Sequence, residues 1–518
     1  MLEINAGVVM RKRVQRILIG LMVLLSCVSR AGSEGQWERC SWAVDNSDRK
    51  AQCMRVSLPL DYGRPELGAV ELAVKRRSGS RASRAQLWLV HGGPGSSAVS
   101  AIEELAFGLQ STRPEIDLYA VDHRGVGTAA ALRCPKTRKG SRTSQNQFRA
   151  ADWNSCIAEL QARSGSELPY LTTTNSARDL GVLIERFRRP QTPVYLLGVS
   201  YGTYVLQRYL QLFPDQPSGV VLHGIANPLS SPIAGYERSF NDIAMALLDL
   251  CKRDPRCKTR FNERDPVEVG RSLVARLNSG HCAATGFDGA KWRELLATPL
   301  MRRPTQEIFP ALVFRLDRCS ADDVSRFKHL AQVIESFEED ESAESPLLGL
   351  HVAVSEMFAD ADDLVTLQAA AATYLAAPGL EPALAGAAGL WPAYVADELV
   401  GRWASYDGPL LMLQGALDPA TNALEARGVG AKYRGQHQHW IEFPNGGHVL
   451  LGDTPLANGD DCALRIYKDF LDEPRKELDT TCASSVLPLD FEGSCDVSRF
   501  LLGTPDAWGD PKSSKCRR

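Results

Sequence analysis

The pentapeptide GVSYG at residues 198–202 constrains the fold more than any other part of the sequence. It is the one G-x-S-x-G motif in the chain, and a mostly apolar run, residues 193–198, leads into it. Such a run is typical of a strand buried on both faces. Residues 201–213 then have the apolar spacing of an amphipathic helix. The motif therefore predicts a sharp strand-to-helix turn that exposes the hydroxyl of Ser200 at the edge of a sheet.

The same alternation of strand and helix patterns extends along the first half of the chain. Strands are predicted at residues 55–60, 69–76, 85–91, 116–122, 193–198 and 218–224, and helices at 176–187 and 201–213. The first two strands are expected to be antiparallel, and the later alternation predicts an α/β fold with a mostly parallel sheet. Residues 228–401 are mainly helical and loop-rich. Strand patterns then return at 408–415 and 437–444.

A serine hydroxyl is a weak nucleophile near neutral pH, so it needs a general base, and that base needs an acid to orient it. In folds with this type of turn, the acid and then the histidine follow the serine along the chain. Asp418 follows the strand predicted at 408–415, and His448 lies in a glycine-containing loop after the next strand. The sequence thus predicts Ser200 as nucleophile, His448 as base and Asp418 as acid.

The segment HGGPG at residues 91–95 follows the third predicted strand. Acyl transfer creates an oxyanion, which backbone N–H groups stabilise, and one donor is the residue after the nucleophile, here Tyr201. The second is expected from the glycine loop, with Gly93 preferred over Gly92. Pro94 has no N–H and cannot serve. His91 is expected to hydrogen-bond the loop and so to have a structural role.

The N-terminus has the pattern of a secretory signal peptide over residues 1–31. A basic cluster at 11–16 precedes a twelve-residue apolar run at 17–28, which is shorter than the ~20 residues that span a bilayer. Small residues at 29–31 allow ordinary cleavage, whereas LLSC at 24–27 resembles a bacterial lipobox that would make Cys27 a lipid-modified N-terminus. Both alternatives are open, and neither predicts a stable membrane span after processing.

The cysteine content agrees with export. The chain has 13 cysteines, so removal of Cys27 leaves 12, and an even number in an exported chain suggests up to about six disulfides. The connectivity is open, and the candidate pairs that lie close in sequence are Cys40–Cys53, Cys134–Cys156, Cys251–Cys257, Cys282–Cys319, Cys462–Cys482 and Cys495–Cys516. No pair has zinc-ribbon spacing, so we expect no metal and no cofactor. The net charge of −3 and the lack of a basic run outside the N-terminus argue against a nucleic-acid partner.

Together these motifs resemble one enzyme family. HGGPG, VDHRGVGTA (121–129), GVSYGT (198–203), GALDPAT (415–421) and NGGH (445–448) occur in the order seen in α/β-hydrolases of the proline iminopeptidase type. CMRVSLPLDYGRP (53–65) and CKRDPRC (251–257) are similar to segments of secreted bacterial tripeptidyl-aminopeptidase-like enzymes.

The resemblance implies an α/β-hydrolase fold with a core at residues 37–227 and 402–518 and a large helical cap at 228–401. It also implies cleavage of amide or ester bonds through an acyl-enzyme on Ser200, and a structural role for Asp122 and Arg124. The expected location is secreted, periplasmic or in the cell envelope of a bacterium.

Substrate recognition is less fully implied. Relatives that remove N-terminal residues hold the free amine with acidic cap groups, often in a DGVVDP-like turn, where this chain has HGIANP with His223 and Asn227. Glu356 matches a cap glutamate, so it is either an amine ligand or an exposed residue. The leading hypothesis is an exported serine aminopeptidase that releases N-terminal residues or short peptides. The alternatives are an esterase or other small-molecule acyl hydrolase with the same triad and, third, a non-catalytic binding protein.

Overall fold

The computed structural model describes residues 35–40, 51–79, 81–106, 108–127, 131–133, 150–230, 235–339, 344–357, 364–380 and 390–509. The predicted signal peptide, with Cys27, lies outside these residues, as do Cys134 and Cys516.

Nine strands of the described residues form one sheet. They are β1 (Glu38–Cys40), β2 (Ala51–Pro59), β3 (Ala69–Arg77), β4 (Ala85–Val90), β5 (Ile116–Val121), β6 (Val194–Val199), β7 (Gly219–His223), β8 (Leu410–Gly415) and β9 (Gln438–Phe443). Their order is β1-β2-β3-β5-β4-β6-β7-β8-β9. The pairs β1–β2, β2–β3 and β3–β5 are antiparallel. The pairs β5–β4, β4–β6, β6–β7, β7–β8 and β8–β9 are parallel. The predicted α/β class with a mostly parallel sheet is confirmed.

Helices flank the sheet and fill the region between β7 and β8. They are α1 (Ile102–Leu105), α2 (Leu109–Thr112), α3 (Ala150–Ser164), α4 (Thr173–Phe187), α5 (Tyr201–Leu212), α6 (Tyr236–Arg253), α7 (Pro255–Arg260), α8 (Pro266–Asn278), α9 (Gly289–Ala297), α10 (Arg303–Gln306), α11 (Phe309–Arg318), α12 (Ala321–Glu339), α13 (Pro346–Val352), α14 (Leu364–Ala371), α15 (Ala423–Lys432), α16 (Cys462–Asp472) and α17 (Cys495–Leu502). A short π-helix, Ala353–Met357, follows α13 directly.

The core lies in three apolar clusters. Side chains alternate along the central strands, so Trp88 and Val90 of β4 pack toward α4 and α5, whereas Leu87 and Leu89 pack toward α16 on the other face. The third cluster contains apolar side chains from the helical region between α6 and α12, and it includes Trp508. Apolar residues between 489 and 508 therefore pack with the helical region.

Four of the expected disulfides are present: Cys40–Cys53, Cys251–Cys257, Cys282–Cys319 and Cys462–Cys482. Cys156 and Cys495 are disulfide-bonded as well, and the partners expected for them are outside the described residues. Within the described ranges, no helix combines the length and the apolar character needed to cross a membrane.

Candidate active site

Ser200 sits on the strained turn that the motif predicted, between β6 and α5. Its φ and ψ are 57° and −126°, a backbone region that side-chain-bearing residues rarely occupy. Its N–H donates to the His223 carbonyl at 2.9 Å. A Cβ atom at Gly198 would lie 2.6 Å from Gly202 O, and one at Gly202 would overlap Val90 O. The two glycines are therefore needed because strand and helix approach so closely at this turn.

Asp418, three residues after the end of β8, is fully buried, and both of its carboxylate oxygens accept hydrogen bonds. Its Oδ1 accepts from the N–H groups of Ala420 and Thr421 at 2.8 and 2.9 Å. Its Oδ2 accepts from Thr421 Oγ1 at 2.6 Å and from Gln414 Nε2 at 3.2 Å. His448 Nδ1 lies 2.8 Å from the same oxygen. Burial raises the pKa of Asp418, but the His448 charge and these hydrogen bonds outweigh it, so the net pKa is lowered.

The tautomer of the neutral His448 ring follows from this contact. An ionised carboxylate only accepts hydrogen bonds, so Nδ1 carries a proton, and in the neutral ring Nε2 keeps a free lone pair. Thr421 and Gln414 were not identified by sequence reasoning. The threonine had a detectable signal, because a hydroxyl three residues after an aspartate in a turn commonly bonds to it.

His223 connects Ser200 to the loop that contains His448. Its carbonyl accepts the Ser200 N–H, and its Nε2 accepts the Leu450 N–H at 2.9 Å. A Cβ atom at Gly224 would lie 2.9 Å from His448 Cε1. The three predicted triad residues thus meet at one edge of the sheet. Among the described residues, no hydrogen bond joins Ser200 Oγ to His448, and this contact is often long in unliganded enzymes.

The surroundings of His223, in the HGIANP turn, disfavour a charged form of its ring. The side chain is fully buried, and burial, reinforced by the nearby His448 charge, lowers the pKa of His223 to about 3. The ring is therefore neutral. Asn227 is also used structurally, since its Nδ2 donates to Glu425 O and its Oδ1 accepts from Leu229 N, both at 2.9 Å.

The glycine loop crosses directly over Ser200, since a Cβ atom at Gly92 would lie 2.6 Å from Ser200 Cβ. Gly92 N–H donates to His91 Nδ1 at 2.6 Å, so this histidine hydrogen-bonds the glycine loop, in agreement with the expectation. Gly93 has φ +106°, a conformation that favours glycine, and its N–H is not engaged in this way. Tyr201 is the first residue of α5, so its N–H lacks an intrahelical acceptor. Gly93 and Tyr201 are therefore better placed than Gly92 to offer free donors.

Asp122 and Arg124 support the loops around the site. Asp122 Oδ1 accepts from Ser97 Oγ at 2.9 Å and from Val99 N at 3.0 Å. Burial raises the pKa of Asp122 to about 6, although these two donors oppose the shift. Arg124 makes a bidentate ion pair with Asp179, at 2.6 and 2.8 Å. These contacts agree with the expected structural role.

Glu356, on the π-helix, is not the exposed residue that one alternative expected. None of its side chain is exposed, and only its backbone retains contact with solvent. Its Oε1 accepts from Thr173 Oγ1 and from Tyr394 OH at 2.5 Å. Its Oε2 accepts from Arg208 Nη2 at 3.0 Å and Tyr204 OH at 3.3 Å. A carboxylate has about four lone-pair sites, and these donors occupy them.

No group of three or more His, Cys, Asp or Glu side chains that could hold a metal ion occurs in the described part of the chain.

Comparison with known proteins identifies similar sequences. A family model described as "Alpha/beta hydrolase family" matches residues 89–458. The tripeptidyl aminopeptidase of Streptomyces lividans is 31% identical over 245 residues, which cover 43% of this chain and 44% of that protein. Serine protease Hip1 of Mycobacterium tuberculosis is 26% identical over 255 residues, covering 44% and 46%. Carboxylesterase B of the same organism is 31% identical over 266 residues, covering 46% and 50%. The chain spans about half the length of the curated relatives it matches.

Proposed function

Because the chain belongs to the alpha/beta hydrolase family, we propose that it is a serine hydrolase whose nucleophile is Ser200. In this proposal Ser200 Oγ attacks the substrate carbonyl carbon and its proton passes to His448 Nε2, while Asp418 stabilises the resulting imidazolium. The N–H groups of Gly93 and Tyr201 hold the oxyanion, and the leaving group takes the proton from His448. Water then releases the acyl group from the serine by the same steps in reverse order.

The observation that carries the proposal is the ionised, fully buried Asp418, with His448 Nδ1 at 2.8 Å from its Oδ2. A buried carboxylate with five contacts on its two oxygens sets the tautomer of the base, as hydrolysis by a serine requires. The glycine loop above Ser200 supports the same assignment, since its geometry leaves the Gly93 N–H available.

For the substrate, we propose an aminopeptidase that releases N-terminal residues or short peptides. The relatives named tripeptidyl aminopeptidase and serine protease support a peptide substrate. A second candidate is an esterase or other small-molecule acyl hydrolase, for which a relative named carboxylesterase B is one support. The other support is Glu356, since an amine could bind there only by displacing one of its four donors.

We further propose that residues 228–401 form a cap over the carboxyl edge of the sheet and that the chain is exported, with the lipid anchor at Cys27 as an open alternative. Export is supported by the four disulfides, because such bonds form and persist in oxidising compartments.

Two measurements test the function. A fluorophosphonate probe should label the protein, and Ser200→Ala should abolish both labelling and turnover while the exposed-site control Ser111→Ala keeps both. Retained labelling in Ser200→Ala would exclude this serine as the nucleophile.

A panel of aminoacyl and peptidyl anilides, their N-acetylated forms and short-chain esters then separates the two candidates. The aminopeptidase proposal expects free-amine substrates to be cleaved at least about tenfold faster than blocked ones, which corresponds to ~1.4 kcal/mol of binding to the amine in the transition state. Equal rates with both forms, together with faster ester cleavage, would favour the esterase.

A further inference from the structure

Residues 344–357 form one continuous segment made of a two-residue link, α13 and the π-helix. The segment lies between β7 and β8 in the chain, yet its apolar side chains, Leu347, Leu348, Leu350 and Val352, pack in the cluster that covers the sheet and not in the helical cluster. Gly349 lies so near the glycine loop that a Cβ atom there would be 2.8 Å from Pro94 O. The segment is thus part of the wall of the active site.

The N-terminal end of the segment contacts the glycine loop just after Gly93. Ser345 N donates to Gly95 O at 2.8 Å, and Ser97 N donates to Glu344 Oε1 at 3.0 Å. Both contacts use backbone atoms of residues 95–97, at the end of the glycine loop and directly after it, so they fix the path of the chain there and not only a side chain. The orientation of the Gly93 N–H depends on that path.

The C-terminal end of the segment is linked to Tyr201, the other donor residue, through Thr173 of α4. Tyr201 OH and Thr173 Oγ1 lie 2.9 Å apart, and Thr173 Oγ1 also contacts Glu356 Oε1. A carboxylate only accepts, so the single Thr173 proton points to Glu356, and Tyr201 OH must donate to Thr173. The hydrogen bonds therefore run in one direction, from Tyr201 through Thr173 to Glu356.

The separation between these two ends is also fixed. His351, fully buried in α13, accepts from Trp391 Nε1 on its Nδ1 at 2.9 Å. Its proton is therefore on Nε2, which donates to Leu168 O at 2.9 Å. Ser355 Oγ donates to His351 O at 2.6 Å, which ties the π-helix to α13.

We infer that residues 344–357 act as a clamp that positions both oxyanion donors, with Glu344 and Thr173 as positioning residues for Gly93 and Tyr201. This inference rests on the proposed serine-hydrolase function. Loss of an oxyanion donor costs about 10²–10³ in rate, and a misplacement of about 1 Å costs up to about 10². Loosening the clamp should therefore slow the reaction of Ser200 without weakening initial binding.

Two matched pairs of variants test the clamp. Glu344→Ala removes the acceptor for Ser97 N, whereas Glu344→Gln keeps an acceptor oxygen. Thr173→Val removes the hydroxyl at nearly constant shape, whereas Thr173→Ser keeps it. The measurement is the rate of labelling by an alkyl fluorophosphonate, in which the Ser200 Oγ–P bond forms, the P–F bond breaks, fluoride leaves and the serine proton passes to His448. The phosphonyl oxygen then occupies the oxyanion site.

Glu344→Ala and Thr173→Val should lower the limiting labelling rate about 10- to 100-fold at an unchanged concentration for half-saturation. Glu344→Gln and Thr173→Ser should restore it to within about threefold of the wild type. Wild-type rates in both disrupted variants, or equal losses in Glu344→Ala and Glu344→Gln, would overturn the clamp while leaving the proposed function intact.

Near-UV circular dichroism checks the fold, and if Thr173→Val does not fold, the Glu344 pair decides the test. Absence of labelling at Ser200 in the wild type would instead reject the proposed function, and the clamp with it.

Discussion

The free energy of unfolding should depend on pH through His223, the buried histidine that links Ser200 to the His448 loop. Burial, with the charges of His448 and Arg302 adding to it and Asp418 opposing it, lowers the pKa of His223 from 6.5 to about 3. Below pH 6.5 the unfolded chain binds a proton that the folded protein does not bind, so stability falls as the pH falls. At about 1.36 kcal/mol per pH unit, the loss between pH 7 and pH 4 is about 3 kcal/mol.

The perturbation that isolates this effect is His223→Gln. The amide oxygen of glutamine can accept the Leu450 N–H in place of the histidine Nε2, and it does not titrate. We expect the variant to be less stable than the wild type by about 1–2 kcal/mol at pH 7, from imperfect packing. Between pH 7 and pH 4 it should lose about 3 kcal/mol less than the wild type loses.

The assay is urea unfolding at both pH values with the disulfides intact, followed by tryptophan fluorescence. Asp122→Asn serves as a control of opposite sign. The pKa of Asp122 is raised from 3.8 to about 6, mainly by burial, so its contribution to stability is present below pH 3.8 and is lost as the pH rises through 6. The Asn variant should therefore lose about 2 kcal/mol more than the wild type on going to pH 4. An identical pH dependence in the wild type and His223→Gln would refute the reasoning.

Two further substitutions probe the turn and the acid. Gly202→Ala places a Cβ atom against Val90 O, a backbone atom that cannot rotate away. The free energy of unfolding should therefore fall by about 1–3 kcal/mol or more, and fluorophosphonate labelling should slow. The control Gly63→Ala, whose Cβ would meet nothing closer than 3.4 Å, should change neither quantity, and equal effects of the two variants would contradict the packing argument. Thr421→Val removes the hydroxyl that donates to Asp418 at 2.6 Å. This should cost about 1.5–3 kcal/mol of stability and slow labelling, whereas Thr421→Ser should recover most of both losses. Equal stability and labelling of the Val and Ser variants would refute a role for the hydroxyl.

Most of the sheet could be predicted because its central strands are buried on both faces. Every residue of β6 is buried, and a continuous apolar run of six bounded by turn residues is a strong strand signal. The sequence does not predict β1, because its three residues, Glu38–Cys40, have no apolar pattern. This edge strand is held by its pairing to β2 and by the Cys40–Cys53 bond.

The location of the three candidate triad residues at one edge of the sheet could be predicted for a topological reason. Ser200, Asp418 and His448 each follow a strand of the parallel part of the sheet, and the carboxyl ends of parallel strands meet at one edge. Position along the chain was therefore enough to bring them together. The supporting residues Gln414 and His223 lie inside buried strands, where the sequence shows burial but not the hydrogen-bond partner.

Glu356 illustrates why a matched position does not determine a role. Its side chain is completely buried, and a buried carboxylate is stable only when it is paired and hydrogen-bonded. The donors come from α4, α5 and the residues before β8, at sequence separations of 183, 148 and 38 for Thr173, Arg208 and Tyr394, so no local pattern could reveal them. A glutamate at this position can hold a substrate amine only if one of its oxygens is free or a protein donor is displaced from it. The number of protein donors on the carboxylate therefore decides between a ligand for the substrate and a support for Tyr201, and here that number favours the support.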